Sequence, residues 1–267
     1  MSEQSEVITS THNRQVQLCR SLRRTKTRRE AGAYLVEGVR LGREALMAGV
    51  ELVAALYDPD ALSKSALEIE VLTRLETLNA AYAASPAAIA AASETQTPQG
   101  LVLAVRQPQP LDLSSLQIQL LLLILDGIAD AGNAGTIMRS AAAAGLSAVV
   151  FAGQAVDPWN GKAVRAGMGA HFRLQIVEAR WDEIISAASD YDQVVAAEAD
   201  AAGTVYDVDW SSPTILILGS EAHGLSTESQ ALTPKPIRIP MAPGVESLNA
   251  AVAASIILFH ARRESGR

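Results

Sequence analysis

Three stretches place side chains able to handle a hydroxyl group directly after short apolar runs. The run at 120–125 opens into Asp126, Asp130 and Asn133 among glycines, and the run at 215–218 opens into Gly219, Ser220, Glu221 and His223. A third, at 237–240, leads through Pro243 and Gly244 to Glu246, Ser247 and Asn249. An asparagine amide donates and accepts, so Asn133 and Asn249 suit either orienting a hydroxyl or pinning a loop. Glu221 can orient a partner or fix its own loop by accepting backbone donors. An imidazole can take up a proton, a role open to His223; a side chain that merely decorates its loop is the plainer account of it.

Runs that are apolar without alternation are buried on both faces, the mark of a parallel sheet covered by helices. Ligands of such sheets bind beyond the carboxyl ends of the strands, where loops distant in sequence meet. The three loops are therefore expected to form one site. The last leads into a helix over 247–263, with Ser247 as its N-cap and an apolar stripe of Leu248, Val252, Ile256 and Phe259.

The 267 residues suffice for two modest domains. With 49% hydrophobic and 19% charged residues the chain is of ordinary globular composition, and at 4% aromatics, base stacking is not expected to dominate a nucleic-acid contact. The net charge of −7 hides a basic cluster, Arg14, Arg20, Arg23, Arg24, Lys26, Arg28 and Arg29. It is a candidate phosphate patch, with a solvated basic helix as the alternative. Cys19, the single cysteine, excludes an internal disulfide, suits a reducing compartment, and shares an apolar phase with Val16 and Leu22, so it is expected to be buried. The polar start lacks the apolar core of a signal peptide. The longest apolar runs, 118–125 and 250–259, fall short of the ~20 residues that span a bilayer, so a cytoplasmic protein is expected. One cysteine and four scattered histidines offer no metal-ligand spacing.

In order, residues 1–10 read as a loose tail, followed by a basic helix over 12–29. Strands at 34–36, 50–57, 80–84 and 101–105 then alternate with helices at 39–48, 63–78 and 86–92. This predicts a small αβ domain over 1–106 and a proline-punctuated linker over 107–117. The domain over 118–267 has strands at 120–125, 148–151, 215–218 and 237–240. Helices at 136–144, 161–168 and 247–263, with segments at 172–177, 181–189 and 193–197, complete an α/β layout. GNAG at 132–135 invites a dinucleotide fold, but the full glycine fingerprint, a phosphate loop and a nucleophile elbow are all missing.

Taken together, LDGIADAGNAGTIMRSA (125–141), ILGSEAHGLS (217–226) and IPMAPGVESLNAAVA (239–253) resemble the three signature motifs of the SpoU (TrmH-like) RNA ribose 2′-O-methyltransferases, within the SPOUT superfamily. DPWNGKAVRAGMGAHF (157–172) resembles the family's connecting stretch, although Gly167 stands where serine is common. STHN (10–13) and LVEGVR (35–40) resemble the ribosomal-protein-like RNA-binding domain often fused to it.

The resemblance implies a C-terminal parallel sheet tied in a deep trefoil knot, an exception to the rule that chains do not knot. It also implies S-adenosylmethionine as cofactor, no metal, and a homodimer with the site at the interface. By matched position, Gly219, Ile239, Met241 and Leu248 would line the cofactor pocket, and Asn133, Arg139, Glu221, Ser247 and Asn249 would form the active site. Arg14, Arg23, Arg24, Arg28 and Arg165 are the expected RNA contacts, with ribosomal RNA ahead of transfer RNA as substrate. A ribose hydroxyl is a poor nucleophile until deprotonated, so the enzyme must mainly align the two groups and favour the alkoxide. A guanidinium is an improbable base, and Arg139 is better suited to holding a phosphate and stabilising charge on the ribose oxygen. The competing account is a non-catalytic RNA-binding or ribosome-assembly protein that keeps the fold, and the intact motif residues favour the enzyme.

Overall fold

The computed structural model describes residues 7–266. Most of the expected tail, residues 1–6, lies outside them, and Ile8 is tied down, its amide donating to the Ala83 carbonyl at 2.8 Å. The chain forms two compact units, one of Met1–Pro108 with Trp159–Arg165 and the other of Gln109–Pro158 with Ala166–Arg267.

The first unit contains α1 (Arg14–Ser21), α2 (Thr25–Ala31), β1 (Ala33–Glu37), α3 (Val39–Met47), β2 (Leu52–Tyr57), α4 (Ala66–Leu75), β3 (Ala81–Ala83), α5 (Pro86–Ala92) and β4 (Leu101–Arg106). Its mixed sheet has the order β1-β4-β2-β3, with β4 antiparallel to β1 and β2, and β3 parallel to β2. The single basic helix expected over 12–29 is two helices, because the backbone turns extended at Arg24. The Arg28 guanidinium takes up the carbonyls freed by that break, donating to Leu22 O at 2.9 Å and Arg23 O at 2.8 Å, and also to Thr25 Oγ1.

Arg28 is consequently 1% exposed. It is an internal staple, which corrects its expected role in RNA binding. Arg23 is half spent in the same way, donating to the carbonyls of Ala91 and Ser93 at the end of α5. Arg165 is engaged too, paired with Glu94 at 2.8 Å and lying 3.9 Å from Glu37. Cys19 is buried as expected, and desolvation pushes its thiol up to about 12.

The second unit holds β5 (Leu121–Asp126), α6 (Ala131–Ala144), β6 (Ala148–Ala152), the end of α7 (Gly161–Gly167), β7 (Gln175–Glu178), α8 (Trp181–Ala187), β8 (Gln193–Ala197), β9 (Gly203–Thr204), β10 (Thr214–Gly219), α9 (Thr227–Gln230), β11 (Lys235–Arg238) and α10 (Ala250–Glu264). All seven strands are parallel, in the order β7-β6-β5-β10-β8-β11-β9. The run 122–125 and its neighbour 215–217 lie at the centre and are fully buried, as unbroken apolar strands must be. The chain passes from β5 to β6 on one side and then crosses to β8 on the other. This puts a topological switch point at β5 and β10, where ligand sites form.

Two helix starts differ from the sequence expectation. Helix α6 begins at Ala131 rather than 136, because the Asp130 carboxylate accepts from the Asn133 amide at 2.8 Å and caps the glycine-rich stretch. Helix α10 begins at Ala250 with Asn249 as its cap, its Oδ1 accepting from Ala251 and Val252, so Ser247 remains in the loop. The apolar stripe of α10 also points away from the core. Val252, Ile256 and Phe259 are exposed, while Ala251, Ala254, Ile257, Leu258 and Ala261 are buried, and α10 packs against α6. Glycine at 167 has a local reason, since a Cβ there would come within 2.9 Å of the His171 ring. That buried ring donates Nε2–H to the Pro158 carbonyl at 2.8 Å, and desolvation lowers its pKa to about 4, keeping it neutral.

Candidate active site

The carboxyl ends of β8, β10 and β11 and the start of α10 line a partly open cavity of about 670 Å3. Gly219, Ile239, Met241 and Leu248, the four residues expected to hold a cofactor, all line it, together with Glu221, Ser247 and Asn249. Glu198, Asp200 and Arg238 line it as well and were not anticipated. The strand-end rule that singled out the other loops applies equally to the residues after 193–197. That run carries no motif of its own.

Glu221 is where the loops converge. Its Oε1 accepts from Asn133 Nδ2 at 2.7 Å, from the Ala250 amide at 3.2 Å and from Asn249 Nδ2 at 3.4 Å. Asn249 Nδ2 also donates to Asn133 Oδ1 at 3.0 Å, closing a ring of three side chains from three loops. The amide orientation of Asn249 is dictated by its cap, because Oδ1 is committed to the helix amides and only Nδ2 can face the ring.

The loop that carries Glu221 is a tight reversal. Ser220 and Gly224 exchange both backbone hydrogen bonds, at 2.9 and 2.8 Å, and Gly224 turns at φ +66°. Gly219 sits beneath that reversal, where a Cβ would lie 2.5 Å from Gly224 C and 2.6 Å from its carbonyl oxygen. Backbone cannot yield as a flexible side chain does, so the position requires glycine.

Arg139 is placed differently. It is exposed on α6, is not part of the cavity wall, and its side chain makes no hydrogen bond or ion pair among the described residues. The structure thus brings together Asn133, Glu221, Ser247 and Asn249 and leaves Arg139 outside. The cavity's carboxylates, Glu198, Asp200 and Glu221, outnumber its one arginine, Arg238, which favours a ligand carrying positive charge. Among the described residues no cluster of three His, Cys, Asp or Glu side chains could hold a metal ion. No helix among them is long and apolar enough to cross a membrane.

Comparison with known proteins places the two halves separately. Residues 120–259 match the SpoU rRNA Methylase family, and residues 13–103 match the MRM3-like substrate binding domain. The chain is 31% identical to the 23S rRNA (guanosine(2553)-2′-O)-methyltransferase RlmP of Bacillus subtilis, over 96% of this chain and 98% of the relative. It is 34% identical to the 23S rRNA (uridine(2479)-2′-O)-methyltransferase of Streptomyces viridochromogenes, over 97% and 93%. The AdoMet-bound rRNA methyltransferase from Sinorhizobium meliloti superposes with a TM-score of 0.84 at 30% identity, covering 98% of both chains.

Gly219→Ala tests the construction of the cavity. Forcing the Gly224 carbonyl aside should cost about 1–3 kcal/mol, visible as a lowered thermal midpoint, and should weaken S-adenosylmethionine binding at least about tenfold in calorimetric titration. An unchanged midpoint and affinity would show that the reversal tolerates a side chain.

Proposed function

The chain belongs to the SpoU rRNA methylase family, and from that membership we infer how its residues divide the work. It is an S-adenosylmethionine-dependent RNA ribose 2′-O-methyltransferase whose C-terminal unit has the family's knotted α/β fold. In our reading its substrate is ribosomal RNA, as it is for the two relatives named above. The first unit is the substrate-binding module.

The cavity fits the cofactor in size and charge. Its volume falls within the roughly 300–1,000 Å3 of small-molecule sites, and its acidic lining suits a ligand with sulfonium and ammonium charges. Gly219, Ile239, Met241 and Leu248 would hold it through backbone groups and apolar contact. When bound, S-adenosylmethionine supplies an electrophilic methyl group on a cationic sulfur.

The observation that carries the division of roles is the saturation of Glu221 Oε1. By accepting three N–H groups on that oxygen, Glu221 orients Asn133 and Asn249. Those amides and the Ser247 hydroxyl position the ribose hydroxyl. Arg139 holds an adjacent phosphate and stabilises the negative charge developing on the ribose oxygen.

Arg139 lies outside its own cavity wall, and its helix packs against α10, whose outward face exposes Val252, Ile256 and Phe259. This supports a homodimer closed over that face, with Arg139 serving the partner's site. RNA would be held by the exposed cations of α1 and α2, namely Arg14, Arg20, Arg24, Lys26 and Arg29. The free thiol of Cys19 and an RNA substrate favour the cytoplasm.

Unmodified total RNA treated with enzyme and methyl-labelled cofactor, then hydrolysed in alkali, should retain label in alkali-resistant dinucleotides, since a 2′-O-methyl group blocks attack on the adjacent phosphate. Label released as mononucleotides would overturn ribose methylation. Arg139→Ala and Glu221→Ala enzymes should each be nearly inactive, and exchanging their subunits should restore about a quarter of wild-type activity. No recovery would place Arg139 in its own subunit's site. Replacing Arg20 and Arg24 by alanine should lower the salt slope of RNA affinity by about one for each phosphate that is no longer neutralised, and an unaltered slope would remove α1 and α2 from the interface.

A further inference from the structure

Asp126 ends β5 and is 2% exposed, an unusual setting for a carboxyl group unless it is partnered. It is in register with Gly219 of β10 on one side and Ala152 of β6 on the other, so it lies at the root of two loops at the switch point. It does not line the cavity. Its Oδ2 accepts from the Ser226 amide at 2.7 Å, across 100 residues of sequence.

Ser226 is where the loop carrying Glu221 ends. It caps α9, its Oγ accepting from the Ser229 amide at 3.2 Å, and it follows directly on the Ser220–Gly224 reversal. One leg of the loop is fixed because Gly219 is the last residue of β10. The other leg is anchored by Asp126.

The other carboxylate oxygen of Asp126 faces Gly153. The position a side chain would take at Gly153 lies 3.3 Å from Asp126 Oδ1 and 3.8 Å from Trp181 Nε1, and Gly153 turns at φ +64°. Among the described residues, Trp181 Nε1 is itself buried without a hydrogen-bond partner.

We infer that Asp126 is a positioning residue for methyl transfer: by holding the Ser226 amide it fixes the loop from Gly219 to Ser226 and so sets Glu221 beneath Asn133 and Asn249. This rests on the role given above to Glu221. Asp126 touches neither the cavity nor the ring, so its effect must pass through the loop and vanish when Glu221 is gone.

The experiment is a double-mutant cycle on the full-length enzyme, with kcat and KM for RNA and for cofactor measured in Asp126→Ala, Asp126→Asn, Glu221→Ala and the Ala/Ala double variant. Asp126→Ala should lower kcat by about ten- to a hundredfold. Asp126→Asn, whose Oδ1 can still accept from Ser226, should recover most of that loss, and the double variant should be no slower than Glu221→Ala alone. Additive losses, or an Asp126→Ala enzyme within about twofold of wild type while Glu221→Ala is inactive, would overturn the inference and leave the Glu221 assignment standing. A fully active Glu221→Ala enzyme would overturn both. Should Asp126→Ala fail to fold, Ser226→Pro removes the donor instead at a backbone φ of −69° that proline accepts; the same loss and the same non-additivity are expected of it.

Discussion

One carboxylate oxygen, Oε1 of Glu221, takes hydrogen bonds from two other segments and so joins three chain stretches that the sheet alone would leave independent. Asn133 opens α6 after β5, Glu221 follows β10, and Asn249 and Ala250 open α10. Insertion of β10 between β5 and β8, and of β11 between β8 and β9, is what brings these ends together. The sheet supplies proximity and the carboxylate supplies register. Each amide in the ring is also committed elsewhere, Asn249 by capping α10 and the Asn133 backbone by the Asp130 cap, so the ring cannot relax without disturbing a helix start.

The same logic explains which residues stay out of the chemistry. Arg28 and Arg23 look like phosphate ligands in a one-dimensional charge pattern, but the break between α1 and α2 strands carbonyls that a guanidinium satisfies best. The basic cluster is thus divided between holding the first unit together and facing solvent. On α10 the large apolar side chains divide, with Ile257 and Leu258 buried and Val252, Ile256 and Phe259 left on the surface.

Much of this was legible from residue order. Unbroken apolar runs at 120–125 and 215–218 pointed to buried parallel strands, and the polar glycine-rich loops after such runs pointed to the region of the cavity that Gly219, Ile239, Met241 and Leu248 line. What could not be read were choices decided by tertiary partners. Nothing local distinguishes Ser247 from Asn249 as a cap; the ring selects Asn249 because its amide can cap and reach Glu221 at once. The stripe of Val252, Ile256 and Phe259 has the spacing of a buried face, and periodicity cannot tell a core from a partner. Glu198, Asp200 and Arg238 reach the cavity through strand order, which sequence periodicity does not encode.

The central claim, that Glu221 holds the separate loops in one register, is most directly tested by amide hydrogen exchange in the Glu221→Ala enzyme. Exchange should accelerate in 219–226 and also in 249–252 and at the start of α6, while the central strands keep their wild-type protection. If only the 219–226 loop responds and the amide of Ala250 exchanges as in the wild type, the three loops are set by the sheet alone and the account is wrong.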